Sequence, residues 1–274
     1  MEELPSEIEQ YRDRIWRRED ALKVETVAGV ESMVEDLGFS LGLTDARKNL
    51  PSVYIGVCGR RDAAMPRNVQ KDPEASTAWV LKDEVIARGR VYYGKLVKGN
   101  AMFLAPRMVP VFNAIWGCPK TQEKEVLSAN AQKVLKSLRK EWEMASADLR
   151  TETGLDRAAL TKAMDELQRH MKVVPQEVVY VPKFTYIWTV PEARFPAEMK
   201  IKMTREKAVR ELARCYLKMC GMTLLGDLSR AFGFPRWESG SANHQLVDEG
   251  FAERLGTGIY RLVTQSLPRE KQTS

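Results

Sequence analysis

Long apolar runs are missing from this chain. The longest, MVPVFNAIWGC at residues 108–118, is interrupted by Pro110 and Asn113 and falls well short of a membrane span. Histidine is nearly absent, with only His170 and His244, and the four cysteines (Cys58, Cys118, Cys215, Cys220) include no C-x-x-C pair. A structural zinc centre draws four such ligands from closely spaced pairs, so the sequence predicts reduced thiols, no metal and no cofactor. The stretch MEELPSEIEQYRDRIWRRED is charged along its whole length. It lacks the apolar core of a secretion signal, and a cytoplasmic protein without a membrane partner is expected.

What is present is the composition of a folded chain: 44% hydrophobic and 29% charged residues over 274 positions, enough for two or three cores. Lys and Arg (43) outnumber Asp and Glu (37), giving a net charge of +6 and a pI near 9.1. This mild excess suits a polyanionic partner without requiring one. It is concentrated at 198–218, where seven bases face three acids; such a run is ordinarily a solvated helix face.

The second half repeats itself at a shift of 79 positions, which superposes Leu138 on Leu217, Leu149 on Leu228, Gly154 on Gly233, Arg157 on Arg236, Ala163 on Ala242 and Leu167 on Leu246. In the first copy, ANAQKVLKSLRKEW has helical apolar spacing. SADLRTETGL reads as a short helix capped by Ser146 and stopped at Gly154. DRAALTKAMDELQRHM is a third helix, capped by Asp156, with Leu160, Ala163, Leu167 and Met171 on one face. EVVYV and TYIWTV then read as two strands turning at Pro182-Lys183. The second copy gives the same order, ending in strands around Gly256-Thr257-Gly258, a good hairpin tip. Helix, short helix, turn, helix and two-stranded ribbon make a winged helix, whose third helix can enter a DNA groove but which also serves in protein contacts.

On the third helix of the first copy, the polar face offers Arg157, Thr161, Lys162 and Gln168 together with Asp165 and Glu166, acids that would repel phosphates. The second copy offers Arg236, Ser239, Ser241, Asn243, His244 and Gln245, with only Glu238 ahead of them, and its wing carries Arg254, Thr257 and Arg261. A lone histidine such as His244, on a helix beside a core leucine, is more often a hydrogen-bonding residue than a catalyst or ligand.

Residues 1–125 show no echo of the repeat and are read as a separate α+β domain. VETVAGVESMVEDLG is a helix stopped by Gly38, LPSVYIGVCG a strand, and RRDAAMPRNVQKDPEAST a loop. The next stretch, WVLKDEVIARGRVYYGKLVKGNAMFLAPRMVPVF, resembles the W-x-x-K-D … Y-Y-G-K … P-x-F segment of bacterial proteins related to the AlkZ/YcaQ DNA glycosylases. The similarity continues from AVRELARCYLKMCGMTLLGDLSRAFGF onward. The resemblance implies tandem winged helices around a DNA channel, in a family whose members unhook interstrand crosslinks. In those enzymes a catalytic Gln-x-Gln or Gln-x-Asp follows a Leu-Gly-apolar stretch. Here the similar stretch is LGFSLGL, which puts Leu41 and Leu43 at the two catalytic positions, and apolar side chains can neither orient water nor accept a proton. The chain is therefore read as lacking that pair.

In the aromatic and basic stretch, Trp79, Tyr92, Tyr93 and Phe103 are expected mainly as core and interface residues, and Lys82 with Asp83 as a local exposed ion pair of little energetic weight. The functional alternative has Lys82, Arg88, Arg90, Lys95 and Lys98 following phosphates and the tyrosines stacking on an unpaired base, with Asp83 as the carboxylate for any chemistry. The fold expected is mostly α with short β-wings (α+β), in tandem winged-helix domains at 126–196 and 200–266, after the domain at 1–125 and before a flexible tail at 267–274. Binding of double-stranded or damaged DNA is the leading function. An active glycosylase using another carboxylate and a protein-interaction scaffold stay open beside it.

Overall fold

The computed structural model describes residues 4–263. The expected tail, 267–274, and the last positions of 200–266 lie outside them. In chain order the helices and strands are α1 (Ser6–Ile15), α2 (Val27–Leu37), β1 (Phe39–Leu41), α3 (Val53–Cys58), α4 (Pro73–Arg88), β2 (Tyr92–Lys95), β3 (Ala101–Leu104) and α5 (Val109–Trp116). They continue as α6 (Glu123–Val126), α7 (Ala129–Glu141), β4 (Glu143–Ala145), α8 (Ser146–Thr153), α9 (Arg157–Arg169), β5 (Val174–Val179) and β6 (Thr185–Thr189). The last are α10 (Pro191–Arg194), α11 (Arg205–Cys220), β7 (Met222–Thr223), α12 (Asp227–Phe232), α13 (Arg236–Asp248), β8 (Ala252–Gly256) and β9 (Ile259–Leu262). Among the described residues no helix is long and apolar enough to cross a membrane.

The repeat is visible in three dimensions. Gly154 and Gly233 both end the second helix of a winged helix at positive φ, 63° and 77°. Arg157 and Arg236 both open the third helix, and the paired Leu149/Leu228, Ala163/Ala242 and Leu167/Leu246 are all buried. Asp156 caps α9 as expected, accepting from the Ala159 amide at 2.7 Å. Ser146 does not cap α8: its hydroxyl accepts from the Trp188 indole at 2.9 Å, tying the helix to the wing instead. Met171 lies beyond the end of α9, at φ 52°, although it is buried.

The same architecture also occurs a third time, in the N-terminal part. Three sheets of three antiparallel strands have the orders β1-β3-β2, β4-β6-β5 and β7-β9-β8, so the first strand pairs with the second arm of the wing each time. Helices α2, α3 and α4 with β1 to β3 make a winged helix equivalent to the two that follow. The reading of 1–125 as unlike the repeat thus holds for its sequence but not for its topology. LPSVYIGVCG is also not a strand. Ser52 accepts from the Ile55 amide and Gly59 stops the segment in the left-handed region, so Val53–Cys58 is a buried turn and a half of helix. A short apolar run has no periodicity to separate strand from buried helix, and the cap decides.

Two apolar clusters divide the packing. The larger joins the first and third winged helices through contacts such as Phe39 against Phe232 and Trp116 against Phe234. The smaller, built on Val134, Leu138, Leu149, Leu167 and Trp188, belongs to the second. Two arginines terminate helices across these boundaries. Arg12 of α1 is buried and donates to the Cys220 and Met222 carbonyls (2.9 and 3.0 Å) at the end of α11, beside the Trp16 indole on the Met219 carbonyl at 2.9 Å. Arg194 donates to the Ile86 carbonyl at the end of α4 and to the Gln176 carbonyl of β5. A cation is favourable at a helix C-terminus, where the last carbonyls lack intrahelical donors. Gly89, at φ 67°, makes room there: a Cβ would meet the Arg194 guanidinium.

The wing of the second winged helix is fastened to α4 by a buried ion pair. Lys82 is 2% exposed and Asp83 8%. They contact each other directly, and Asp83 also accepts from the Tyr180 hydroxyl at the tip of the β5–β6 hairpin. The Lys82 ammonium lies 4.5, 5.6 and 6.0 Å from the ring centroids of Trp79, Tyr186 and Tyr93, and 3.2 Å from the Tyr186 hydroxyl. The expectation of an exposed pair is corrected here, because the hairpin covers it. In the second winged helix Glu123 plays a similar role: Arg139 grips it in a fork (both contacts 2.7 Å) and Lys172 adds 2.6 Å, holding the carboxyl down from its ordinary 4.5 to about 2.

Replacing Asp83 with Ala leaves Lys82 buried without its counterion and is expected to destabilise the fold by about 3–5 kcal/mol in urea denaturation; the double variant Lys82→Met/Asp83→Leu, which removes both charges, should recover most of it. For Glu123 the folded value is depressed, so its stabilisation is complete above pH 4.5 and is lost as pH falls toward 2. Glu123→Gln should flatten the acid limb of the stability curve in that window, as followed by circular dichroism.

Candidate nucleic-acid interface

The three third helices, α4, α9 and α13, are the elements through which a winged helix reads a groove, and they differ in what they leave open. On α4 and just after it the bases are paired within the protein. Besides Lys82 and Asp83, Arg88 and Arg90 both reach Glu31 of α2, at 3.2 and 3.5 Å. Tyr92 is 0% exposed, with its ring 5.3 Å from that of Phe195 and its hydroxyl unpartnered, and burial raises its phenol far above the usual range. Tyr93 packs on Phe103 at 4.9 Å, and burial raises its phenol as well. Lys95 pairs with Asp165 at 2.8 Å, and Lys98 donates to the Arg230 carbonyl of α12. The expected phosphate-following row is thus corrected for Lys82, and the stacking role for Tyr92: neither reaches solvent. Asp83 is corrected as well, since a general base needs a free oxygen facing the reactant and both of its oxygens are held from inside.

Leu41 is buried in β1 opposite Met102, and Leu43 is half-buried against the same core. No titratable side chain occupies either position. A Gln-x-Asp triplet does occur elsewhere, at Gln70-Lys71-Asp72, so the pair is missing from the strand and not from the sequence. At that site Asp72 is the N-cap of α4, accepting from the Ala75 amide at 2.8 Å.

On α9 the arrangement is reversed. Arg157 and Lys162 are exposed, with no carboxylate partner among the described residues. The two acids that seemed to oppose phosphate binding are both engaged: Asp165 holds Lys95, and Glu166 accepts from the amide and hydroxyl of Ser128 (2.7 and 2.6 Å), closing the start of α7. Gln168 is buried and turns to the Lys95 amide at 3.0 Å.

On α13, Arg236, Ser241 and His244 are exposed, and Arg254 and Thr257 are exposed on the wing. Arg254 turns back on the Gly256 carbonyl at 3.2 Å, and His244 sits edge-on to Tyr260. Glu238 is taken by Arg205 at 2.7 Å, and Arg261 by Glu253 at 2.5 Å. Asn243 is 9% exposed and lines a small cavity with Thr223 and Tyr260. Its expected place on the reading face is therefore corrected: it lies four positions after the buried Ser239 and three before the buried Leu246, on their side of the helix. The sequence reading missed Trp237, which is 74% exposed beside Arg236 at the start of α13. A helical wheel anchored on Ala242 and Leu246 places it outside the apolar stripe, and that was the available signal. The reading also missed Tyr180 and Phe184, which stand half-exposed with Trp79 at the hairpin tip.

Comparison with known proteins follows the same outline. The structure is similar to the DNA glycosylase AlkZ of Streptomyces sahachiroi, with a TM-score of 0.53 over 93% of this chain and 70% of that one, at 12% sequence identity, a likeness of fold alone. A crystal structure of the DIP2311 protein from Corynebacterium diphtheriae aligns over 70% of this chain and 39% of that one at 14% identity, with a TM-score of 0.21, too low to bear on the fold. Comparison with curated proteins gives no match. The AlkZ-related family model matches residues 24–233, from the loop ahead of α2 to the end of α12. Spanning everything from α2 to α12 and leaving out α1, α13 and the last wing, that match shows that the chain belongs to the AlkZ-related family.

Proposed function

We propose that this protein binds duplex DNA, damaged duplexes included, through the third helices of its second and third winged helices, and acts in the cytoplasm without the Gln-x-Gln chemistry of the glycosylases. The observation that carries the reading is the pattern of charge pairing. Asp165 and Glu166 of α9 and Glu238 of α13 are engaged by the protein itself, which leaves Asp248 at the end of α13 as the exposed acid of these two helices, whereas Arg157, Lys162, Arg236 and Arg254 are exposed with no carboxylate partner among the described residues. A surface built this way offers more positive than negative charge to phosphates. Ser241, His244 and Thr257 supply short polar groups for backbone or base-edge bonds, and Trp237 supplies a flat apolar face beside them. The family and the fold shared with a DNA glycosylase favour DNA over other polyanions. Leucines at 41 and 43 and the enclosed Asp83 leave those three positions without a group to activate water.

Binding of a labelled duplex over a salt series tests this. Log affinity should fall linearly with log salt, and Arg157→Ala or Arg236→Ala should each lower the slope by about 0.9. Lys140→Ala, at a paired and exposed lysine, should leave it unchanged. A flat response at low salt would rule the proposal out. Incubation with alkylated and crosslinked duplexes should release no base, and release that survives Asp83→Asn would place catalysis on a group other than Asp83.

A further inference from the structure

A furrow runs along one side of α11, with no residue of α4, α9 or α13 in its lining. Its first part, about 570 Å³, lies between α11 and the end of α2 with the start of α5; its second, about 870 Å³, continues under α1, and Asp36, Arg107 and Lys218 line both. From α11 come Lys207, Glu211, Arg214 and Lys218. Their spacing of four, three and four puts them on one helix face, and they extend over about 16 Å at 1.5 Å per residue. This is the basic run at 198–218, which the DNA reading leaves unused.

The two parts together are lined by six bases and three acids. Each acid is already engaged: Glu35 by Arg107, Asp36 by Arg17, and Glu211 by Arg210 and Arg214. Lys207 and Lys218 are exposed, with no carboxylate partner among the described residues. Between these charges the lining is apolar, with Leu37, Met108, Val111 and Phe251 in the first part. Methionine adapts its shape to an incoming surface at little strain, and Met203 and Met219 also line the furrow.

Two features argue against nucleic acid here. A single strand needs open aromatic faces for base stacking, but Tyr11 is buried and the Phe251 ring is covered by the Arg214 guanidinium at 4.5 Å. A phosphate backbone also has nothing to place against an apolar lining, which would lose its hydration for no gain. A helix of about 10–12 Å diameter that is apolar on one side and acidic on the other satisfies both the lining and its charges. We propose that the furrow along α11 docks an acidic amphipathic helix of a partner protein, its carboxylates meeting Lys207 and Lys218 and its apolar side facing Met108, Val111 and Met203.

The test uses the full chain and two labelled synthetic helical peptides with the same Leu/Phe stripe, one bearing Glu and the other Lys on its polar side, followed by fluorescence anisotropy. The acidic peptide should bind and the basic one should not. The double variant Lys207→Glu/Lys218→Glu, whose fold is checked by circular dichroism, should weaken the acidic peptide by on the order of tenfold, as expected for two exposed charges reversed, and leave duplex binding unchanged. Equal binding of both peptides, or none, overturns the proposal. So does displacement of the acidic peptide by an oligo-dT strand, or an equal loss of duplex binding in the double variant, either of which would assign the furrow to nucleic acid.

Discussion

The buried contact between Lys82 and Asp83 determines which surfaces this protein can present. Desolvating two ions is unfavourable unless their remaining hydrogen-bonding capacity is filled, and here the filling groups come from a distant part of the chain. Tyr180 and Tyr186, on opposite arms of one hairpin, complete the shell around a pair that sits on α4. The wing of the second winged helix is therefore held on the third helix of the first, and the arm that would approach DNA in an isolated winged helix acts as a structural brace. Arg194 supports the arrangement from the other end of α4 by joining that helix's last carbonyls to β5.

This arrangement separates the three winged helices by role. The first is central: its core merges with that of the third, and α4 faces protein on one side. The second and third keep their own third helices open. Internal pairing works in the same direction, because carboxylates close to those helices are turned toward Lys95, Ser128 and Arg205. The modest net charge of the chain thus understates the positive character of the two open faces, where the remaining cations stand without counterions.

Much of this was legible in the sequence where physics is local. Helical periodicity, the glycines at 154 and 233, the Asp156 cap and the Gly256-Thr257-Gly258 tip all act within a few residues, and the repeat exposed the last two winged helices. The first was hidden because the insertion between α3 and α4 breaks the spacing that a sequence shift can detect, and because α3 is too short to show a period. Burial of Lys82, Asp83 and Tyr92 could not be read from their neighbours along the chain, since the covering residues are about a hundred positions away. The cluster of base and aromatic side chains that suggested a binding groove is explained by the needs of a buried ion pair, whose cation is stabilised by ring faces.

The clasp made by α1 also bears on the order in which the molecule can be assembled. Arg12 and Trp16 have carbonyl partners 208 and 203 residues further along, at the end of α11. During synthesis Asp13 of α1 can meet Arg61 early, but Arg12 and Trp16 have no carbonyl partners until the third winged helix begins to emerge, by which time the sequence for the other two has already been made. Closure of such a long loop is entropically slow and follows local folding. A helix made well ahead of all three winged helices is thus among the last to be seated, and its docking reports that the third has formed.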